Sequence, residues 1–339
     1  MQVKVSIVIP MFNSGSFIIE MIDCIIKQSY SNWELIIVDD VSTDGTYEKV
    51  INYIINEKRI KLIQRNRWPK GAQSCRNIGF DNCIGDYVMF FDADDLISIN
   101  CLKQRVNFMD NNPELDFSIF PAHTINESYE IKSSESKKIY GIGPKNDNFR
   151  SLLKAEVPFA VWTNIYKRKS IAKISWDEKV KVFQDFYFNF LSIINNFNFQ
   201  FCHTAEFDYF YRINSSLNAI TSNFIKTEKV SSTIYLFENV LNILSQRDDF
   251  LIRKKQLFTF CLIYLERLLF GGKKDDLVSF LNFLKNNYAI KSFYLYPIIQ
   301  VLGLIKNEKL KRLCFSFLMI AIYRNKRFFL LIINKLKFW

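Results

Sequence analysis

Residues 34–56 read ELIIVDDVSTDGTYEKVINYIIN and hold a strand, a turn and a helix in that order. The apolar run 34–39 stops at acidic residues, Ser42 to Gly45 supply the turn, and 44–56 is long enough for a helix. The same unit recurs on both sides. Short apolar runs at 3–9, 60–64 and 87–91 read as strands, and 17–28 and 71–84 read as helices. Strand and helix alternate, which predicts an α/β fold with a doubly wound, mostly parallel sheet. In such sheets ligands collect beyond the carboxyl ends of the strands. The polar residues there, Asn13, 40–44 and 92–95, are the first candidates for a site.

Further along, 126–148 turns to Ser, Lys, Glu and Gly and reads as an exposed connection. A run at 161–166, a helix around 182–195 and a strand-like 206–212 follow, and beyond 214 the pattern is helical. The 339 residues suffice for one large domain with an appended segment, here 1–220 and a basic helical region 221–339. Seven cysteines lie singly with no CxxC pair, so they read as thiols in a reducing, cytoplasmic compartment. Residues 1–10 read as a strand, not an export signal.

The net charge is +11, yet residues 251–339 carry 17 Lys and Arg against 4 Asp and Glu, a net of +13 that leaves −2 for the first 250. No aromatic stacking platform interleaves with a basic face in 1–250, so nucleic acid is not an expected partner. The apolar run 313–323 is shorter than the roughly 20 residues that span a bilayer. Residues 313–339 read instead as a helix lying on an anionic membrane surface. A solvated helical face, or an oligomer contact, is the competing reading.

Asp92-Ala93-Asp94-Asp95 follows the apolar strand 87–91, and in an extended segment Asp92 and Asp94 point the same way. Two carboxylates at a strand end suit Mg²⁺ or Mn²⁺, with a diphosphate and water completing the shell. A turn with Asp94 or Asp95 capping a helix reads equally well for this cluster alone. Asp40 can accept from a base N–H or a ribose hydroxyl, although 39–45 also makes a well-capped turn. Arg76, in Gly71 to Gly79, offers phosphate a permanent cation. His123 and His203 are isolated and read as packing or surface residues.

Together 5–13, 24–40, 71–79 and 85–95 match, in order and spacing, glycosyltransferase family 2 within the A-type glycosyltransferase fold, which the chain resembles over about its first 100 residues. The resemblance implies an inverting enzyme that takes a sugar from a nucleotide-diphosphate donor, with UDP favoured. Residues 1–121 would form the donor half and 149–220 the acceptor half. Pro10 and Phe12 would flank the base beside Asn13, Asp40 would bind base or ribose, and Arg76 would lie near the nucleotide. Asp92 would contact ribose or sugar, and Asp94 would bind the metal with Asp92 and Asp95 beside it. Phe12 stands where the family often has Tyr, which keeps the ring and removes the phenol.

On the acceptor side, 162–168 and Asp185 resemble a family segment in which a Glu-Asp pair leads a helix and the Asp is the base. Here the pair is Gln184-Asp185. Trp162 and Arg212 would support the acceptor, and Asp177, Glu178 and Asp208 are reserve bases. The implied reaction is hexosyl or N-acetylhexosaminyl transfer to a glycan, lipid-linked in bacterial surface polysaccharide synthesis, at the inner face of the membrane. A sugar-phosphate nucleotidylyltransferase would need a Gly-rich basic loop after the first strand, which 11–16 is not. The non-enzyme alternative is a membrane-associated sugar-nucleotide binder on the same scaffold.

Overall fold

The computed structural model describes residues 3–125, 140, 141, 143, 147–156, 159–212 and 226–288. Two compact units divide the chain, Met1–Ser222 and Asn223–Trp339. In the first, β1 (Val5–Met11), α1 (Phe17–Ile26), β2 (Trp33–Asp39), α2 (Thr46–Ile54), β3 (Ile60–Gln64), α3 (Ala72–Asp81) and β4 (Tyr87–Phe90) alternate as the sequence predicts. There follow β5 (Leu96–Ile97), α4 (Cys101–Asn111), β6 (Phe117–Ile119), β7 (Ala122–Ile125) and α5 (Asn148–Leu153). A 3-10 turn (Val161–Thr163) leads into β8 (Asn164–Lys167), α6 (Arg168–Ile171), α7 (Gln184–Ile194), β9 (Phe199–Phe201) and β10 (Tyr209–Arg212).

The main sheet has the order β3-β2-β1-β4-β8-β6-β9. β1 to β4 pair in parallel, whereas β8 runs antiparallel to both β4 and β6. The sheet is therefore mixed but mainly parallel, the α/β class that the alternation implies. A second sheet of three strands has the order β5-β10-β7. The sequence gives little sign of β5, β6, β7 and β9, each only two to four residues long and without an alternating pattern.

Both faces of the main sheet are covered, so β1 and β2 are buried along almost their whole length rather than alternating, and their polar residues Ser6 and Glu34 pair with each other. Val5, Ile7 and Ile9 pack with Ile18, Met21 and Ile22 of α1 on one face. Val8, Ile36 and Val38 pack with Cys75 of α3 on the other. Gly79 brings α3 close to β1, since a Cβ there would meet Val8 Cγ1 at 2.3 Å. That approach sets the height of α3, and with it Arg76, above the sheet.

The strand order reverses between β1 and β4, which places the crevice of a doubly wound sheet beyond their carboxyl ends. Their ladder ends at Val8 opposite Phe90. Pro10, which has no N–H to give, therefore sits where only β2 still pairs with β1.

The second unit holds α8 (Thr227–Leu244), α9 (Phe250–Gly271) and α10 (Lys274–Tyr288), helical as expected. Phe237, Phe260, Tyr264, Phe280 and Phe283 form its aromatic centre. Among the described residues no helix is long and apolar enough to cross a membrane. The expected surface helix at 313–339, and Cys314 within it, lie outside the described residues. The six described cysteines are free thiols.

One buried ion pair ties the two sheets together. Arg105 of α4 gives two hydrogen bonds to Asp208, 2.8 and 2.6 Å, and one each to the carbonyls of Trp162 and Asn164. Both side chains are out of solvent. Removing one partner of such a pair strands the other's charge, whereas replacing both with apolar groups does not. We expect Asp208→Ala to cost about 3–5 kcal/mol in urea denaturation. The double replacement Arg105→Met with Asp208→Leu should recover most of that loss.

Candidate active site

The turn after β2 divides its aspartates between separate tasks. The Asp39 carboxylate accepts from the Ser42 N–H at 3.1 Å, and Asp44 accepts from the Thr46 N–H at 3.0 Å, so these two build the strand-to-helix turn. Asp40 is left over. Its Oδ1 accepts from Nε of Arg65, both side chains being buried, and its N–H donates to the Met11 carbonyl at 2.7 Å. Phe12 is exposed beside it, with Nζ of Lys70 3.6 Å from the ring centroid. Asn13 joins the first two turns: its side chain accepts from the Thr43 N–H at 2.8 Å, and its N–H donates to Ser42 Oγ at 3.0 Å.

Beyond β4 the chain turns at Ala93-Asp94 rather than running on extended, and Asp92 and Asp94 are half-exposed while Ala93 and Asp95 are buried. Asp95 has both oxygens engaged: Tyr209 Oη donates at 2.6 Å and the Arg212 N–H at 2.8 Å. Burial, and after it the charges of Asp94 and Asp92, push its carboxyl well above the usual range. Tyr209 Oη in turn accepts from the Asp92 N–H at 3.2 Å. Arg212 donates from Nε to the Asp94 carbonyl at 2.8 Å and from Nη2 to Glu20 at 2.7 Å. Asp95 thus acts inward, fastening β10 to the acidic turn.

Arg76 joins the acidic turn to α7. Its Nη2 donates to Asp92 Oδ1 at 2.7 Å and its Nη1 to Gln184 Oε1 at 2.9 Å, while its guanidinium lies 4.6 Å from the Trp176 ring centroid. Asp185, in the first turn of α7, accepts from the Val161 N–H at 3.4 Å. Burial pushes its carboxyl up to about 6; Arg76 pulls it down and Asp92 pushes it further up. A carboxylate titrating near neutrality suits a general base.

Two of the reserve bases, Asp208 and Glu178, are otherwise engaged. Asp208 is paired with Arg105, and Arg67 binds Glu178 through two hydrogen bonds that hold its carboxyl below the usual range. Asn77 secures the same loop, giving hydrogen bonds to Glu178 and the Trp176 carbonyl and accepting one from the Trp176 N–H. Trp162 is buried, stacked on Tyr209 at 4.7 Å and Tyr211 at 5.5 Å, so Tyr211 and Tyr140 are the half-exposed members of that cluster.

Among the described residues no three Asp, Glu, His or Cys side chains converge as a metal site. Mg²⁺ and Mn²⁺ need only one or two carboxylates when substrate phosphates supply the rest. Asp94 and Asp92 therefore fit a cation that arrives with a diphosphate, not one held by side chains alone. Sequence reasoning passed over Arg65, Trp176 and Tyr209, which act through positions three-dimensional packing alone brings together. Only Gln184 carried a signal, as the altered member of a pair.

Residues 6–175 match the family described as Glycosyl transferase family 2. An uncharacterized glycosyltransferase of Haemophilus influenzae is 40% identical over 110 residues, 32% of this chain and 43% of that protein, so the chain spans less than half of that relative. The Escherichia coli UDP-Glc:alpha-D-GlcNAc-diphosphoundecaprenol beta-1,3-glucosyltransferase WfgD is 29% identical over 226 residues, 66% of this chain and 82% of that one. The fold is shared with S. aureus TarS 1-349, solved with UDP-GlcNAc, at TM-score 0.63 and 18% identity, covering 88% of this chain and 86% of that one.

The raised Asp185 carboxyl carries a stability consequence. An acid with a folded-state value near 6, above the roughly 3.9 of an unfolded chain, loses stability as pH rises from about 4 through about 6. Asp185→Asn cannot ionise and keeps an acceptor for Val161. Its Tm at pH 7.5 is therefore expected to exceed that of the unaltered protein, with the gap closing towards pH 4. A lower Tm at pH 7.5 would make Asp185 a structural anchor.

Proposed function

The chain belongs to glycosyl transferase family 2, and we propose that it moves a hexosyl or N-acetylhexosaminyl group, with inversion, from a UDP-sugar to a lipid-linked glycan hydroxyl. The observation that carries this reading is the single guanidinium of Arg76, which links the donor-side carboxylate Asp92 to the start of α7, where Asp185 stands. A donor held at the switch point beyond β1 and β4 would present its anomeric carbon between these groups.

In the proposed reaction the Asp185 carboxylate takes the proton of the acceptor hydroxyl. The freed oxygen electrons form the new bond to the anomeric carbon, and the bond to the diphosphate breaks on the opposite side. The diphosphate leaves with that electron pair. A divalent cation, Mn²⁺ or Mg²⁺, held by Asp94 and Asp92 with donor oxygens, would neutralise charge on the departing group. Arg76 holds Asp92 in place through its hydrogen bond and lowers the Asp185 carboxyl against the push from Asp92. Glu20 and the acidic turn hold Arg212 at the edge of the same crevice.

The acceptor class rests on relationship. The E. coli relative's name states transfer from UDP-Glc to a sugar on diphosphoundecaprenol as a beta-1,3 linkage. A polyprenyl-diphosphate sugar at the inner face of the membrane is accordingly the acceptor to try first.

Transfer from UDP-glucose or UDP-GlcNAc to such an acceptor tests the reading. The unaltered rate should fall below a midpoint near pH 6, where Asp185 gains its proton. Asp185→Asn should lower the rate about 10²-fold or more with donor affinity kept, because a base acts in the transition state. A rate within about threefold of the unaltered enzyme, short of what loss of a general base produces, would remove Asp185 from that role. Asp94→Asn should weaken Mn²⁺-dependent donor binding, and an unchanged Mn²⁺ response would take Asp94 out of the metal shell.

A further inference from the structure

Three adjacent strands of the main sheet, β3, β2 and β1, are each followed within four residues by an exposed apolar side chain. Trp68 is 80% exposed, Val41 42% and Phe12 44%. The other described tryptophans, Trp33, Trp162 and Trp176, are buried, as the size and apolar area of the indole favour. Trp68 is therefore the exception, and its surroundings give a reason.

The segment 65–70 crosses the ends of these strands. At one end Arg65 binds Asp40, and its guanidinium lies 5.5 Å from the Trp68 ring centroid, so Asp40 and Trp68 both neighbour one guanidinium. At the other end Lys70 rests on the face of Phe12. Asp40 is more than nine-tenths buried, and the Arg65 guanidinium engages it through Oδ1, which leaves its second oxygen to face a ligand. A recessed acceptor ringed by exposed apolar faces and two cations suits a flat, polar-edged heteroaromatic ring. Aliphatic or purely anionic ligands would leave either the acceptor or the aromatic faces unused.

We propose that Trp68 is the outer wall of the nucleobase site: the base binds with an N–H on Asp40 and the indole closes against its free face. The inference rests on the donor reading above and adds a residue outside its matched segments. Lys70, now on the Phe12 ring, is displaced from it when the base enters. Arg65 is a positioning residue that holds the Asp40 carboxylate in place.

The test uses the full chain with UDP and, as a ligand without a base, inorganic pyrophosphate. UDP should quench tryptophan fluorescence, and Trp68→Phe should remove most of that quench. Trp68→Ala should weaken UDP about five- to 150-fold, the effect of losing one base–aromatic stack, and leave pyrophosphate affinity unchanged. Being a surface change, it should not alter the melting temperature. Equal UDP affinity of the Trp68→Ala and unaltered proteins would overturn the inference while leaving the donor reading standing. Failure of the unaltered protein to bind UDP, GDP, ADP or CDP would sink the donor reading and this inference with it.

Discussion

A buried guanidinium must be paired, and the pairing of Arg76 organises the crevice. Its side chain is 5% exposed, out of reach of the water that would otherwise solvate its charge. One terminal nitrogen satisfies Asp92 and the other Gln184, while the Trp176 ring covers the guanidinium. These three residues come from the turn after β4, the start of α7 and the loop before it. Chain segments about a hundred residues apart are thus fixed around one cation. The same charge also holds down the Asp185 carboxyl, which burial and Asp92 both push up. Its position depends on Gly79, one turn further along α3, which lets the helix sit close on β1.

Backbone conformation supports the arrangement. Asn13, Val41 and Phe183 all have φ between 47° and 63°, the left-handed region that side chains disfavour. Each lies next to a residue of the crevice: Phe12, Asp40 and Gln184. For Val41, β-branched and exposed, the surrounding structure must over-determine the turn. The Asp39 and Asn13 hydrogen bonds on either side do so. On the far side, Asp95 and Tyr209 clamp β10 to the acidic turn, and Arg105 with Asp208 anchors β10 to α4. Two buried acids outside the chemistry therefore give the half-exposed pair Asp92 and Asp94 a rigid base.

Much of this was legible from the chain alone, for a physical reason. Buried parallel strands read as unbroken apolar runs, and their carboxyl ends are where polar residues gather, so β1 to β4 and the turns at 40–44 and 92–95 stood out. The short strands β5, β6, β7 and β9 did not, because strands of two to four residues carry no period and form through pairing with distant partners. Pattern alone could not divide the aspartates. Asp39, Asp40 and Asp44 look alike in sequence, and only hydrogen bonding shows that two of them build a turn. Asp95 looked like a neighbour of Asp94 and is instead a buried acceptor for Tyr209 and Arg212. The 3-10 turn before β8 was likewise hidden, since 161–166 reads as one apolar run.

The proposed reaction uses one carboxylate, Asp185, as base and no nucleophile on the enzyme, so the acceptor oxygen displaces the diphosphate directly and the anomeric carbon inverts. Proton NMR of the product formed from UDP-glucose, whose sugar is α-linked, reads this directly through the coupling between the first two ring protons. The large diaxial coupling of a β-glucoside is the predicted result. The small coupling of an α-glucoside would contradict it, because retention needs either an enzyme nucleophile or a same-face attack, and the proposed reaction has neither.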